Sequence, residues 1–354
     1  ALRIPEHAFA NPETNAAHCC GHHAQMAGVF GAALALTVPE IAEKLDGQVV
    51  FFATPAEEYG EIEFKNQLRE QGKIRYGGGK CELLRIGAFD DIDLCLTHHI
   101  RPGNEILVGS GTGNGFVSKV IRVLGKASHA AGAPEKGVNA LSAASLGLQA
   151  LGLNRETFRD EDCVRVHPII TKGGNLVNVI PDEVVVETLV RGKTIEAFTD
   201  AAKKTDRSFK AGAIAMGAKV EISTLPGYLP TLAEEALPEL KHAAEISASG
   251  IPVIEASGHA GGSTDVGDVQ HLMPVYTFNT GGVKGGLHQI DFEVTDEEEA
   301  YIVTAKMFAL AAYGLLKEKA QRSRELVDQY EPVFKNSAEY VEFMEQFDSK
   351  EIFE

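Results

Sequence analysis

The chain has 354 residues, 44% of them hydrophobic, and carries 33 basic against 50 acidic side chains for a formal charge of −17. That length predicts about two domains with a sizeable core and excludes a largely disordered chain. The acidic balance excludes nucleic acid and anionic membranes as partners, because both select a basic face.

The opening ALRIPEHAF has neither a basic n-region nor a long apolar h-region, so no signal peptide is expected. Small and apolar residues over 24–36 predict a helix packed closely on a sheet, and residues 39–45 begin a second turn or helix. The apolar stretches fall short of a membrane span and are broken by glycine and polar residues, so no spanning segment is expected. Residues 48–54 (QVVFFAT) read as a buried strand, residues 80–87 as helical, and residues 92–97 (IDLCLT) as the next strand. Strands alternating with helices predict a largely parallel sheet covered on both faces.

The run GSGTGNG (109–115) reads as a hinge, since a phosphate-binding loop would have to follow a strand and open a helix. Beyond it come a strand (116–125), a helix (138–151), two strands (163–171 and 183–192), a helix (194–216) and a strand (219–224). That β-α-β-β-α-β order is the split, ferredoxin-like arrangement, and the cluster LPGYLPTL (225–232) closes it. The expected division is an α/β domain from residues 1–115 and 227–320, an inserted α+β domain at 116–226, and a charged, helical extension at 321–354. Within the second part of the larger domain, a helix (233–247), a glycine-rich loop region, a short strand (274–278) and a helix (295–316) are expected.

The segment HCCGHH (18–23) crowds three of the 12 histidines and two of the five cysteines into six residues. That is a metal signature or a chance cluster at a helix start. Glu57 and Glu58 follow the strand at 48–54, His98 and His99 end the next strand, and His288 sits in a glycine-rich loop. Open α/β sheets place their sites at the carboxyl ends of strands. Four such clusters at one sheet edge point to a dinuclear metal site. An odd number of cysteines without a CxxC pair favours a reducing, cytoplasmic setting.

In order, CCGHH, PAEEYG, THH, GKASHA, NVIPDEVVVETLVRG and GGSTDVGDV…GGLH resemble the M20 metallopeptidase family. The resemblance runs over residues 1 to about 316 and is nearest the amidohydrolase branch, which hydrolyses N-acyl-amino acids, indole-acetyl-amino acids and aminobenzoyl-glutamate. It implies a zinc-peptidase-like α/β catalytic domain with an inserted ferredoxin-like dimerisation domain, hence a homodimer. It further implies that Cys20, His22, Glu58, His99 and His288 ligate two divalent metals, Zn or Mn and in some cases Co. Glu57 would then be the general base, moving a proton from water to the leaving amine. His129 resembles the histidine supplied by the partner subunit to the oxyanion. Asn178 and Arg191 match residues that bind the substrate carboxylate, a task suited to the planar guanidinium fork.

Rival readings accompany these roles. His129 could be a surface histidine, and Arg191 could pair with a glutamate on a neighbouring strand. His18, Cys19, His23 and His98 could be alternative ligands but are read as residues that orient the ligands, while Asp265 and Asp268 could orient His288 or cap a helix. The sequence departs from the family at His23, where Asp or Asn is usual, and at Gln25, where many relatives have His. The strand and helices that precede an ALRIPEH-like stretch in the family are expected to be missing. The implied activity is metal-dependent hydrolysis of a small N-acyl amino acid or an aminobenzoyl-glutamate-like compound. The alternatives are a di- or tripeptidase of the same fold, a non-catalytic binding module, and a hydrolase using Cys20 as nucleophile.

Overall fold

The computed structural model describes residues 2–248 and 250–354. The first stretch lays down α1 (His22–Leu36), α2 (Ile62–Glu70), α3 (Gly79–Arg85), β1 (Cys95–Ile100) and β2 (Ile106–Val108). Next come β3 (Gly115–Leu124), α4 (Ala140–Leu153), β4 (Arg165–Val166), β5 (Ile169–Lys172), β6 (Glu183–Gly192), α5 (Ile195–Met216) and β7 (Lys219–Tyr228). The chain closes with α6 (Pro238–Ser247), β8 (Val253–Glu255), α7 (Val266–Gln270), β9 (Val275–Thr280), α8 (Thr304–Gln329), α9 (Ser337–Glu345) and β10 (Ser349–Phe353).

One sheet has the order β8–β2–β9–β1, parallel at β8/β2 and β9/β1 and antiparallel where β9 meets β2. It is therefore mixed rather than largely parallel. α1, α6 and α8 bury Ala32, Leu36, Leu240, Met307 and Leu315 with Ile106, Val108 and Phe278 of this sheet. The run 298–329 is long and apolar enough to cross a membrane, with a mean hydropathy of 1.3 over its best window. Val303, Met307, Phe308, Ala311 and Leu315 of this run are buried in the core, and residues 317–320 leave helical geometry.

Residues 48–54 were expected to be a strand, but the backbone there pairs with no other strand. Apolar, β-branched sequence specifies an extended chain, yet a strand exists only when its N–H and C=O groups find a ladder. A groove of about 810 Å³ opens here instead, lined by Val49, Phe51, Leu94, Leu96, Phe308 and Leu316 among others.

The second sheet is antiparallel throughout, β10–β7–β3–β6–β4, with β5 also on β6. α4 and α5 cover it, burying Ala143, Ala144, Phe209 and Ala213 against Ile121, Val184, Val186 and Val220. The strand expected over 163–171 is split into β4 and β5 around His167 and Pro168, because proline offers the ladder no donor. The 109–115 run is not a loose hinge. Thr112 and Gly113 pair with His259 and Ala260, and a Cβ on Gly111 would lie 2.1 Å from the Gly258 carbonyl oxygen.

The C-terminal extension is helical only in part. Its last residues form β10, which adds a strand to the edge of β7 with Val220 opposite Phe353 and Thr224 opposite Ser349.

Candidate metal centre

Gly21 opens α1 with φ 83, and a Cβ there would lie 1.9 Å from the Ile100 side chain, so only glycine lets the Cys20–His22 turn sit on the end of β1. Ala17, Cys19, Ala24, Ile100, Val283 and Phe292 form the apolar floor beneath it. On this floor His22 projects from the first turn of α1 and His99 from the last residues of β1. The turn at 55–58 is placed by Gly79, whose N–H donates to the Ala56 carbonyl at 3.1 Å. Lys65 Nζ donates to the Glu58 carbonyl at 2.6 Å, and the Tyr228 hydroxyl donates to the Glu57 carbonyl. His288, at φ 65, is held by its own N–H on the Cys19 carbonyl at 2.7 Å.

The five residues named as ligands come together. Cys20 Sγ lies 3.4 Å from His99 Nε2 and 3.1 Å from His288 Nε2. Glu58 Oε1 lies 3.3 Å from His22 Nε2 and 3.1 Å from His288 Nε2, and Glu57 Oε2 lies 3.6 Å from His22 Nε2. Three overlapping groups, Cys20/His22/His99, Cys20/Glu58/His288 and His22/Glu57/Glu58, each hold their donor atoms within 4.8 Å of one another. One thiol, three imidazoles and a carboxylate form a borderline donor set that fits Zn²⁺, Mn²⁺ or Co²⁺.

The remaining ring nitrogens have fixed partners. His22 Nδ1 donates to Gln25 Oε1 at 2.7 Å, Gln25 Nε2 donates to the His98 carbonyl, and His99 Nδ1 donates to the Ile100 carbonyl at 2.7 Å. Both rings thus turn Nε2 toward the centre, as ligation requires. Burial and the nearby Glu58 push the Cys20 thiol up, and burial lowers His99. Although burial opposes it, hydrogen bonds from His22 and His288 hold Glu58 well below the usual carboxylate range, and Glu58 in turn raises both histidines. Burial followed by the charge of Asp265 raises Glu57. Its Oε1 accepts from the Thr264 hydroxyl at 2.8 Å.

The other named residues fall in different places. Arg191 reaches the rim of this centre, donating to Ser263 Oγ at 2.9 Å with its guanidinium 5.4 Å above the Phe116 ring. Its cross-strand neighbours are Phe116 and Arg165, so no glutamate faces it. His129 and Asn178 are not in the cluster. They neighbour each other, with the Ala130 N–H on the Asn178 carbonyl at 2.9 Å, and His129 Nδ1 accepts from Gly132 N–H at 2.9 Å.

His98 serves through its carbonyl, while its ring bonds to Thr280 Oγ1 at 2.8 Å; His18 and His23 pack on each other, centroids 5.5 Å apart. Asp265 accepts from the Lys80 N–H at 2.8 Å and pairs with its Nζ, and Asp268 accepts from the Tyr340 hydroxyl at 2.9 Å. Neither orients His288. Sequence reasoning missed Thr264 and Lys80, and named Gln25 only as a departure from the family. Gln25 carried a signal, three residues after His22 on one helix face.

The sequence profile described as Peptidase family M20/M25/M40 matches residues 4–313. The Xaa-Arg dipeptidase of Mus musculus is 28% identical over 86% of this chain and 64% of its own length. The indole-3-acetyl-aspartic acid hydrolase of Enterobacter agglomerans is 25% identical over 64% of this chain and 50% of its own. This chain thus spans between half and two thirds of these curated relatives. Among solved structures, the Bacillus subtilis YXEP protein, a dinuclear metal binding peptidase, superposes with a TM-score of 0.57 at 23% identity, covering 87% of this chain and 76% of that one. That likeness is one of fold.

Proposed function

This chain belongs to peptidase family M20/M25/M40, and on that premise we propose that it is a metal-dependent amidohydrolase for a small N-acyl amino acid or an aminobenzoyl-glutamate-like compound. The observation that carries the reading is the meeting of Cys20, His22, Glu58, His99 and His288 from four separate stretches of chain, with a second carboxylate, Glu57, beside them. Two divalent ions held there would acidify a water and polarise the amide carbonyl.

The protein's own groups do the rest. Glu57, kept from rotating by Thr264, accepts a proton at the carboxylate oxygen facing His22 and returns it to the leaving nitrogen. Arg191 faces the substrate carboxylate with no acid opposite it.

His129 and Asn178 would serve a neighbouring copy's centre, and we propose a homodimer formed through the unit that carries β3–β7. The support is the exposed apolar stretch beside them, where Ile169 is 61%, Leu176 64% and Val177 104% exposed. A reducing, cytoplasmic compartment belongs to the same reading, since Cys20 must stay reduced to ligate as a thiolate.

The relatives named Xaa-Arg dipeptidase keep a dipeptidase of this fold as the second reading. The test is metal analysis with a panel of N-acyl amino acids and dipeptides on protein loaded with Zn²⁺, Mn²⁺ or Co²⁺. About two ions per chain and hydrolysis that Glu57→Gln abolishes are expected. Near-native turnover by Glu57→Gln would overturn the mechanism.

A further inference from the structure

Three contacts join three pairs of consecutive residues into a closed ring that includes Glu57. The Gly79 N–H donates to the Ala56 carbonyl at 3.1 Å, Lys80 is bound to Asp265, and the Thr264 hydroxyl donates to Glu57 Oε1 at 2.8 Å. Ala56–Glu57, Gly79–Lys80 and Thr264–Asp265 are the covalent links between those contacts. Lys65 reinforces one side of the ring. Its Nζ donates to the Glu58 carbonyl at 2.6 Å and to the Gly77 carbonyl at 2.7 Å, so the turn at 55–58 is held twice to the chain that opens α3. The Thr264 side is joined to α3 through Lys80 and Asp265.

Asp265 immediately precedes α7, a place where an aspartate ordinarily caps the helix with its own carboxylate. Here it makes no cap. Its Oδ2 accepts from the Lys80 N–H at 2.8 Å and its Oδ1 pairs with Lys80 Nζ at 2.5 Å, so both oxygens reach across the ring. The Asp265 side chain is fully buried and that of Lys80 is 17% exposed. Stability alone does not explain such a pair. Withdrawing two charges from water is costly, and apolar residues of similar volume often hold a fold as well or better. What a charge-assisted, two-point contact adds is a fixed geometry.

We propose that Lys80 and Asp265 are positioning residues for Glu57: their ion pair holds Thr264 against Oε1 and so fixes the carboxylate with Oε2 turned toward His22. The proposal rests on the amidohydrolase reading, in which Glu57 is the general base. It extends that reading to two residues outside the three donor groups of the metal centre. A reacting group misplaced by about 1 Å costs on the order of a hundredfold in rate. Loss of the pair is therefore read in kcat, while KM and metal content stay near native.

The test is Lys80→Met/Asp265→Asn, which removes both charges yet keeps the bulk and an acceptor for the N–H of residue 80. On the best substrate of the N-acyl amino acid and dipeptide panel, kcat of the metal-loaded variant is expected to fall by about tenfold or more, with KM, metal content and the urea midpoint near native. Lys80→Gln/Asp265→Asn, with a neutral hydrogen bond in place of the ion pair, should lie between the variant and the native protein, and serves alone if the first does not fold. Adding Thr264→Val to either should cost little more, because both changes open the same ring. Native kcat, a loss matched by falling metal content and stability, or losses that add with Thr264→Val overturn the proposal. Crystal structures of the native and variant proteins without substrate give a readout apart from activity. The Glu57 carboxylate should leave Thr264 in the variant, and a carboxylate still in its native place overturns the proposal. If the native protein hydrolyses nothing in the panel, the hydrolase reading fails, and these structures alone decide whether the ion pair positions Glu57.

Discussion

Thr264 donates its hydroxyl hydrogen to Glu57 Oε1 at 2.8 Å, and this bond leaves Oε2 as the oxygen turned toward His22. One carboxylate oxygen is restrained and the other left free to carry a proton. Thr264→Val keeps the shape and removes the donor. It is expected to lower kcat by about tenfold with a smaller change in KM, because the group acts on the base more than on substrate. Metal content should stay native and Thr264→Ser should recover most of the rate. A KM effect alone would place Thr264 against substrate instead.

Cys20 belongs to two of the three donor groups at the centre, whereas His99 belongs to one. Cys20→Ala should therefore lose more metal than His99→Ala, falling well below one ion per chain after dialysis against a weak chelator. Stripping the native protein should also lower its melting temperature, since ligands that bind only the folded state stabilise it by mass action. Elemental analysis and thermal melts with and without added Zn²⁺ check both points. Equal metal loss in the two variants would mean that the thiol does not serve both positions.

Gly79 stands where a Cβ would lie 1.7 Å from the Pro55 carbonyl oxygen, in the turn that carries Glu57 and Glu58. Gly79→Ala must push that turn aside. The cost expected is about 2 kcal/mol or more, with metal affinity falling alongside stability because the two carboxylates move together. Chemical denaturation and metal titration of the same preparation would read both.

The centre was legible in the sequence because its ligands travel in short strings, CCGHH, PAEEYG and THH, whose spacing reflects local turns. What positions them was not. Thr264 meets Glu57 across 207 residues of chain, and Lys80 meets Asp265 across 185, so no local pattern records either contact. The strand reading of 48–54 failed for a related reason: extended propensity is local, but pairing is not. Conversely, β6 was read to the residue, since it is a nearly continuous apolar run buried on both faces, Val184, Val186 and Val190 under the helices and Val185 in the opposite core. The final strand was hidden by charge. Lys350 pairs with Glu221 and Glu351 with Lys210, so a run that looked like a solvated helix is an edge strand laced by ion pairs.

β10 completes the edge of β7, and Phe347, just before it, packs on Phe198 of α5 with ring centroids 5.4 Å apart. Upstream, Asp348 pairs with Arg69 at 2.8 Å, so the same short segment ties the second sheet to α2. Removing residues 349–354 should speed amide exchange over Lys219–Thr224 while leaving β6 protected, because only the β7 edge loses its ladder. Unchanged exchange at β7 would show that β10 lies on the sheet without protecting it.

Asp268 is wholly buried, accepting from the Leu229 N–H at 3.2 Å and the Tyr340 hydroxyl at 2.9 Å. Burial raises its carboxyl to about 8, with the Tyr340 bond opposing and Asp265 adding to the rise. The folded chain therefore keeps a proton that the unfolded chain releases near its ordinary value of 3.8. Because the native state binds the extra proton between those limits, the stabilisation is complete below about pH 4 and is lost as pH rises through about 8. Glu234, raised by burial to about 8 and held by Thr277, acts in the same direction. Asp268→Asn stays neutral at every pH and keeps an acceptor for Tyr340. The native protein should thus lose stability from pH 6 to pH 9 by at least about 1 kcal/mol more than the variant. Urea melts at a series of pH values measure this directly. Parallel stability curves for the two proteins would show that Asp268 does not hold its proton in the folded state.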